Sequence, residues 1–353
     1  MKAAILGANG YTGMVLTRLL LQHPNITEII PASRSLMNTG IREYDPGLPV
    51  DTGKFSTVNN RYVSPDSAAE YKPDVIFSAL PHLVSADLCA NMIGTVPVID
   101  LSADFRLRSD DRFLAAYGQK RPQQQLQDSA VYGLVEWYRE QLKSAELIAC
   151  PGCYPTATLL ALLPFLAAGL AQDTIIVNAM SGITGAGKKA NTRLLLAERA
   201  ENMEAYLPGS SHRHWNEIGQ EIEHFYPDST GTAAPQLLFT PHLVPVKQGM
   251  LSTITFKLSA DSEHNEHQLH ERLTAAYSSA PLVEVLPLGV LPQTRSVRAT
   301  GRCQIGLQLE GDYLMLFSAI DNLYRGASAQ AVQAMNIRFG LPETAGIPLH
   351  GEV

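Results

Sequence analysis

Two cysteines three positions apart are the residues best suited to covalent chemistry. Cys150 and Cys153 lie in the segment IACPGCYPTATLL. Such a pair can form a redox disulfide, supply half of a zinc site, or place one reactive thiol beside an inert one. Zinc needs four ligands, whereas the chain has no second pair of this kind and no histidine between His82 and His212. We therefore expect no metal site here.

The position of the following helix distinguishes the two thiols. Cys150 ends the apolar, strand-like segment ELIAC, whereas Pro155 suits the first turn of a helix. The helix is thus expected to begin after both cysteines, with Cys150 buried at the end of the strand. A thiolate at Cys153, just before the helix N-terminus, would be stabilised by unpaired backbone N–H groups and the helix dipole. The sequence therefore predicts Cys153 as the nucleophile.

A thiolate nucleophile needs an acid/base partner, which the polar segment SSHRHWNE can supply. This segment holds His212, Arg213 and His214. The two imidazoles titrate near neutral pH, and the guanidinium is suited to phosphate or carboxylate. Residue type therefore indicates that one of the two histidines is the acid/base, without choosing between them.

Two further polar segments are candidates for binding an anionic substrate. Arg106 follows a strand-like run, and ligands of open α/β sheets bind beyond the carboxyl ends of the strands. The segment SGITGAGKK, which includes Ser181, Gly182 and Gly185, also follows a strand-like run and can present backbone N–H groups to an anion. The same glycine-rich segment could equally be a flexible turn.

A glycine-rich segment near the N-terminus indicates a cofactor. GANGYTG follows the first strand-like run, opens a helical one and has the spacing G-x-x-G-x-x-G, a variant of the dinucleotide fingerprint. Its glycines permit a tight turn and let the backbone approach a pyrophosphate, which the helix N-terminus also attracts. The predicted cofactor contacts here are Gly7, Asn9, Gly10, Tyr11, Thr12 and Gly13.

The end of the second strand-like run indicates which nicotinamide cofactor binds. NAD sites usually carry an acidic residue about 20 residues beyond the glycines, where it binds the ribose 2′-OH. This chain instead reads PASRS, with Ser33, Arg34 and Ser35. Arg34 could pair with a 2′-phosphate, and no carboxylate repels one; the alternative is a solvated arginine in a turn. We predict NADP(H) rather than NAD(H), with its 2′-phosphate at these three residues.

The elements that must position these residues form two domains. In residues 1–150, β-rich runs alternate with helical segments, which predicts an α/β domain with a Rossmann-type, doubly wound parallel sheet. Longer, partly alternating runs in residues 151–325 predict a second, α+β domain with a mixed, largely antiparallel sheet. The strand-like runs lie at residues 2–7, 27–33, 74–80, 97–102 and 146–150, and then at 174–182, 249–259, 282–287, 296–310 and 312–321. The chain is helical again from Gly326 to Gly340.

Composition excludes several classes of protein. The 353 residues carry a formal net charge of −7 and no basic run, so nucleic acid is not expected as a partner. The longest apolar run, residues 158–170, contains Pro164 and is shorter than the roughly 20 residues of a membrane span. The N-terminal apolar segment is too short for a signal peptide, and four cysteines are too few for a disulfide scaffold. We expect a cytoplasmic protein that does not contact membranes.

Eight segments together resemble a known family. GANGYTG, ASRS, ALPH, DLSADFR, PGCYPTA, SGITGAGK, HRHWNE and DNLYRGASAQAVQAMN resemble, in order and spacing, the N-acetyl-gamma-glutamyl-phosphate reductases of arginine biosynthesis. The resemblance extends from Gly7 to about Gly340; PGCYPTA with HRH is specific to it, whereas the glycine loop is shared with the wider semialdehyde dehydrogenase superfamily. It implies NADPH-dependent reduction of a small-molecule acyl phosphate to an aldehyde, with a thioester on Cys153 as intermediate.

The resemblance also implies roles for individual residues. His214 would be the acid/base, while His212, Arg106 and Ser181 would hold the substrate. Pro81 and Asn322 would lie by the cofactor, with the loop of Gly182 and Gly185 beside the cofactor or the substrate phosphate. The C-terminal segment 326–353 would pack on the NADP-binding domain of residues 1–150, and residues 151–325 would provide catalysis and oligomerisation. Members of the family tend to form homo-oligomers, so a dimer or a tetramer is expected.

Three alternatives compete with this function. An aspartate-semialdehyde dehydrogenase would share the chemistry, but the CYPTA and HRH segments argue against it. A reductase of an aminoadipyl phosphate in lysine biosynthesis differs by one methylene or a carrier-protein amide, which the residues do not distinguish. A regulator that senses NADPH without catalysis would need neither Cys153 nor the His-Arg-His run.

Overall fold

The computed structural model of the chain describes residues 1–49, 53–57, 60–259 and 265–351. The chain divides into two compact units. Unit 1 comprises Met1–Asp110, Lys120–Gly152 and Ala327–Pro348. Unit 2 comprises Asp111–Gln119, Cys153–Gly326 and Leu349–Val353.

The predicted parallel sheet is confirmed in unit 1, where it has six strands, one more than the five strand-like runs of the sequence. Its strands are β1 (Lys2–Leu6), β2 (Glu28–Ala32), β3 (Val75–Ser78), β4 (Val98–Asp100), β5 (Val131–Tyr132) and β6 (Leu147–Ala149). Their order is β2-β1-β3-β4-β6-β5, and every neighbouring pair is parallel. Strands β3, β4 and β6 are buried along their whole length, which parallel strands covered on both faces require.

The α-helices of the described residues range in length from four residues in α2 to 14 residues in α7. They are α1 (Tyr11–Gln22), α2 (Ile41–Tyr44), α3 (Ser85–Cys89), α4 (Asp110–Tyr117), α5 (Gln124–Asp128), α6 (Val135–Leu142), α7 (Cys153–Leu166), α8 (Leu196–Arg199), α9 (Arg213–Phe225), α10 (Glu266–Ala276), α11 (Thr294–Val297) and α12 (Ala329–Arg338). In the described residues, no helix combines the length and apolar character needed to cross a bilayer.

The last helix, α12, packs inside unit 1. It contacts α1, α6 and β4, and nine of its residues are buried. Its Asn336 side chain lies 2.9 Å from Nε2 of the fully buried His23, and the Ser328 hydroxyl donates to the carbonyl of Thr12 at 2.9 Å. The final segment is thus bonded to both ends of α1.

Unit 2 is built on a seven-stranded mixed sheet. Its strands are β7 (Ala171–Ser181), β8 (Glu204–Ala205), β9 (Gln236–Leu243), β10 (Met250–Leu258), β11 (Val283–Val285), β12 (Cys303–Glu310) and β13 (Tyr313–Ile320). The order is β11-β12-β13-β10-β7-β9-β8, with β7–β9 and β11–β12 parallel and the other pairs antiparallel. Helices α7, α9 and α10 contact this sheet, and α7 is apolar and buried on all sides.

The strands of unit 2 differ in part from those predicted. The strand predicted at residues 296–310 begins only at Cys303, because the chain forms α11 and then turns through Ala299 with φ of 59°. Strand β9 was not predicted, although its burial alternates, because Pro241 in its sequence counts against a strand.

Candidate active site

Cys153 is the first residue of α7, and Cys150 lies outside the helix. The expected helix start at Pro155 was therefore wrong by two residues, because proline lacks only an N–H that the first helical turn does not use. Cys150 is 1% exposed and its N–H donates to the carbonyl of Asp100 at 2.8 Å, so it ends a buried strand as predicted. Burial raises the pKa of the Cys150 thiol, which keeps it protonated. Cys153 is partly exposed.

His212 caps helix α9 rather than projecting freely. Its Nδ1 accepts the backbone N–H of His214 at 3.1 Å, so the neutral ring carries its proton on Nε2. Burial lowers the pKa of His212 to about 4, and the charge of Arg213 contributes in the same direction. Near neutral pH, this ring is a neutral hydrogen-bond donor.

His214 faces a buried carboxylate one helical turn away. Its Nε2 lies 4.0 Å from Oε2 of Glu217, and both residues are at least nine-tenths buried. This separation is too long for a hydrogen bond, but the carboxylate's charge would stabilise the positive charge that the ring carries after accepting a proton. Glu217 was missed in the sequence, where its spacing of three from His214 in HRHWNE is the only signal.

Two tyrosines connect the cysteine to the histidines. The ring of Tyr154, next to Cys153 in the chain, lies edge-on to His212 and His214, with centroids at 5.6 and 5.8 Å. Its hydroxyl lies 3.0 Å from that of Tyr206. Burial raises the pKa of the Tyr206 phenol, and a thiolate at Cys153 contributes to the rise. Both phenols therefore stay protonated beside the nucleophile; neither was predicted as a site residue.

The loop after β7 is fixed by close backbone contacts. Ser181 donates its hydroxyl to the carbonyl of Gly182 at 3.1 Å and also hydrogen-bonds the Tyr154 phenol. A Cβ on Gly182 would lie 2.8 Å from the backbone nitrogen of Gln248, and one on Gly185 would lie 2.9 Å from Oγ of Ser181. Only glycine fits at position 182, where the neighbouring atoms are backbone, so the start of the loop is tightly packed.

Asn322, which follows β13, uses its amide to hold this loop. Its Oδ1 accepts the N–H of Gly249 at 2.7 Å, and its Nδ2 donates to Oγ1 of Thr184 at 3.0 Å. The structure thus gathers Cys153, both histidines, the loop and Asn322 within unit 2.

The glycine loop of unit 1 fits a dinucleotide. Gly7 has φ of 81°, and a Cβ there would lie 2.5 Å from the carbonyl oxygen of Ala79; one on Gly13 would lie 2.3 Å from that of Gly7. Gly10 is the N-cap of α1 and, having no side chain, leaves the helix N-terminus uncapped. The cradle that these glycines leave at the start of α1 suits a pyrophosphate. Tyr11 and Thr12 form the first turn of the same helix.

The residues after β2 lie beside this loop. Nδ2 of Asn9 donates to the Ser35 hydroxyl at 3.1 Å, and the hydroxyls of Ser33 and Ser35 are 3.4 Å apart. Arg34 is 64% exposed and 3.7 Å from the equally exposed carboxylate of Asp66. An exposed ion pair of this kind is weak, so the guanidinium can exchange Asp66 for a phosphate.

Asp104 joins the loops that carry Pro81 and Arg106. Its carboxylate accepts the N–H groups of Leu83 at 2.6 Å and Ala86 at 3.0 Å, and Leu83 adopts the left-handed conformation with φ of 67°. Arg106 is mostly buried, and its Nη2 donates to the carbonyl of Leu101 at 2.9 Å. The loops after β3 and β4 are thus held as one rigid platform at the carboxyl edge of the parallel sheet.

Both units match models of known protein families. Residues 2–145 match the family model described as semialdehyde dehydrogenase, NAD binding domain, and residues 153–322 match semialdehyde dehydrogenase, dimerisation domain. Among solved structures, aspartate semialdehyde dehydrogenase II of Vibrio cholerae shares the fold, with a TM-score of 0.70 and 16% identity over 96% of this chain and 98% of that one. The structure of aspartate semialdehyde dehydrogenase from Candida albicans with NADP gives a TM-score of 0.66 and 17% identity, over 95% of this chain and 97% of that one.

Curated relatives are more similar in sequence. N-acetyl-gamma-glutamyl-phosphate reductase of Azotobacter vinelandii is 41% identical over 351 residues, which is 98% of both chains. The proteins of the same name from Acidithiobacillus ferrooxidans and Pseudomonas fluorescens are 40% and 41% identical over 98% of this chain and 97% of theirs.

Proposed function

Because the chain belongs to the N-acetyl-gamma-glutamyl-phosphate reductase family of semialdehyde dehydrogenases, we propose that Cys153 is the nucleophile of that reaction. The enzyme converts N-acetyl-gamma-glutamyl phosphate to N-acetylglutamate 5-semialdehyde and phosphate in arginine biosynthesis, with a nicotinamide cofactor. The observation that carries the role of Cys153 is its place in the first turn of α7, directly before Tyr154, whose ring contacts His214 beside the buried Glu217.

Catalysis proceeds in two stages. The Cys153 thiolate attacks the acyl carbon, a C–S bond forms, and the C–O bond to phosphate breaks, which leaves a thioester and free phosphate. When bound, the reduced nicotinamide supplies the hydride that converts this thioester to a thiohemiacetal. His214 protonates the oxygen as negative charge develops there and takes the proton back as the C–S bond breaks, which releases the aldehyde and the thiolate. The charge of Glu217 stabilises the protonated ring.

Substrate binding is assigned to three polar groups. His212, neutral and with a proton on Nε2, donates a hydrogen bond to a substrate oxygen. Arg106 supplies a buried positive charge for a carboxylate or phosphate, and Ser181 supplies a hydroxyl at the rim of the glycine loop. Gly182, Gly185 and Asn322 keep that loop in place.

The cofactor is proposed to be NADP(H), held by the loop from Gly7 to Gly13 and by Pro81. Its 2′-phosphate would meet Ser33, Arg34 and Ser35. Support comes from the exposed guanidinium of Arg34 and from the hydroxyls of the two serines, which lie next to the glycine loop. The residues that follow β2 are Ser33-Arg34-Ser35, so this position lacks the acidic residue that binds the ribose 2′-OH in NAD sites.

Replacing Arg34 by alanine is expected to raise the Michaelis constant for NADPH by about tenfold, the effect of losing roughly 1.4 kcal/mol of binding. The constant for NADH should change little, because NADH has no 2′-phosphate. Steady-state kinetics with each cofactor measures the difference, with Arg272→Ala on the exposed face of α10 as a control. Equal effects on both cofactors would remove Arg34 from the 2′-phosphate site.

The substrate is assigned by the names of the relatives at about 40% identity, which agree, whereas the aspartate semialdehyde dehydrogenases share the fold alone. Phosphate-dependent oxidation of three aldehydes, followed at the nicotinamide absorbance, tests the assignment. N-acetylglutamate semialdehyde should give a kcat/KM well above those of aspartate semialdehyde and the aminoadipate analogue. A preference for either of the others would replace the proposed substrate.

A homodimer through the outer face of the unit 2 sheet is proposed as the oligomer. This face exposes Ile176 and Met180 on β7 and Leu238 on the neighbouring β9, each at least 40% exposed. Ile176 and Leu238 are paired in register, so their side chains share one apolar patch. Patches of this kind on an open sheet face mark protein interfaces.

Introducing a charge into this patch is expected to separate the protomers. The double variant Ile176→Arg, Leu238→Arg would bury unpaired charge in the dimer and should shift the mass measured by light scattering to that of one chain. Leu114→Arg, at a half-exposed apolar position of α4, is the matched control. A dimer or tetramer that persists in the double variant would place the interface elsewhere.

The cytoplasm is the proposed location. All four cysteines lie in the described part of the chain, and none of them forms a disulfide. A catalytic thiolate also needs the reducing conditions that this compartment maintains.

A further inference from the structure

Gly326 lies directly against the nucleophile. A Cβ built on Gly326 would be 2.7 Å from Cβ of Cys153, 3.2 Å from its Cα and 3.3 Å from Cδ1 of Ile320. Side-chain carbons do not approach one another so closely. Even a methyl group at this position would therefore displace either Cys153 or the turn that contains Gly326.

The turn that contains Gly326 has an unusual winding. Tyr324–Ser328 forms a π-helical turn, in which the N–H of Gly326 donates to the carbonyl of Asp321, five residues back, at 2.9 Å. Turns of this type are rare, carry one residue more than an α-helical turn and occur mostly at functional sites. The turn with this rare geometry is therefore the one that contacts Cys153 through Gly326.

Asp321 anchors this turn from inside unit 2. Its Oδ1 accepts the N–H groups of Leu323 at 2.9 Å and Tyr324 at 3.0 Å. Its Oδ2 accepts from the N–H of Ala299 at 2.6 Å and from Nε2 of Gln248 at 2.5 Å. Asp321 is fully buried, so moving the turn would break bonds to groups that water cannot replace.

We propose that Gly326 is a positioning residue for the nucleophile: its missing side chain lets an anchored π turn support Cys153 from behind and so fixes where the thiolate points. The proposal rests on the role of Cys153 proposed above. Because the turn is fixed by Asp321, a side chain at position 326 would move the cysteine rather than the turn. A displacement of the order of 1 Å can cost about 10²-fold in rate.

The test is Gly326→Ala, studied by turnover and by alkylation of Cys153. The variant is expected to lose about 10² in kcat, and the rate at which iodoacetamide labels Cys153 should change several-fold, with NADPH binding unaltered. Labelling reports this thiol because the other three cysteines are buried. Gly219→Ala, in the interior of α9, is the control, since its Cβ would meet only Nη1 at the end of the long Arg112 side chain, at 3.3 Å.

A double-mutant cycle keeps the test informative if Gly326→Ala folds poorly. Cys153→Gly removes the Cβ that the new methyl group would strike, so Gly326→Ala should lower the unfolding midpoint much less in that background than in the wild type. Equal losses of stability in both backgrounds, or a Gly326→Ala enzyme with wild-type kcat and labelling rate, would overturn the proposal. If Cys153 were not the nucleophile, the labelling rate and the cycle would still report the contact while kcat stayed unchanged.

Discussion

Replacing Cys153 by alanine is expected to lower kcat by about 10⁴-fold or more, because no other group can form the thioester that divides the reaction into two steps. The fold should be unaffected, since Cys153 is only partly buried and opens its helix. Phosphate-dependent oxidation of N-acetylglutamate semialdehyde measures the rate. Binding of NADPH, followed by its fluorescence, should match the wild type and show that the cofactor site is intact.

The matched control for this prediction is Cys150→Ala, three residues earlier. This side chain is 1% exposed and its thiol is held protonated, so its removal leaves a small cavity and no missing chemistry. A stability loss of about 1 kcal/mol with unchanged kcat is expected. Turnover that survives Cys153→Ala, or that disappears in a folded Cys150→Ala protein, would contradict the assignment of the nucleophile.

Replacing His214 by glutamine is expected to lower kcat by between about 10² and 10⁴-fold, the usual contribution of general acid–base catalysis. The Michaelis constant should change little, because the proton moves only in the transition state. His212→Gln should show the opposite pattern: its pKa of about 4 keeps the ring neutral near pH 7, so its loss should raise KM more than it lowers kcat. The pH profile of kcat should lose one limb in His214→Gln and keep both in His212→Gln.

Two further variants test the role of His214. Glu217→Gln should lower kcat by about tenfold while leaving binding unchanged, because it removes the carboxylate that supports the charged ring of His214. His224→Gln, exposed near the end of the same helix, should have no effect. A larger kcat loss in His212→Gln than in His214→Gln would exchange the roles of the two histidines.

Five strands of the parallel sheet were predictable because they are short, largely buried and separated by helices, so each appears in the sequence as an apolar run. The two-residue edge strand β5 is too short to give such a run. The glycine loop was equally visible, since Gly7 and Gly13 are required by local contacts at the end of β1. Strand β9 was hidden by Pro241. The strand predicted at 296–310 begins only at Cys303, because the backbone turns through the left-handed region at Ala299, which the composition does not reveal.

The supporting residues of the site could not be predicted in the same way. Glu217 lies three residues after His214, a spacing that occurs on any polar helix and does not by itself indicate a site. Gly326 and Asp321 matter only because the turn after β13 returns to α7, more than 160 residues earlier in the chain. Contacts over such separations arise from the tertiary fold, and no local pattern of hydrophobic or polar residues encodes them.

Unit 1 is assembled from segments near both ends of the sequence, which affects the order in which the chain folds during synthesis. Its last stretch, Ala327–Pro348, emerges from the ribosome only after Cys153–Gly326, the main stretch of unit 2, has been made. Until then His23 lacks both Asn336 and the close contact of Gly346, and the surface that α12 will cover stays open. Unit 2 draws nearly all its residues from one continuous stretch and can therefore complete its core first. The nucleotide-binding part, although encoded first, is the last to close.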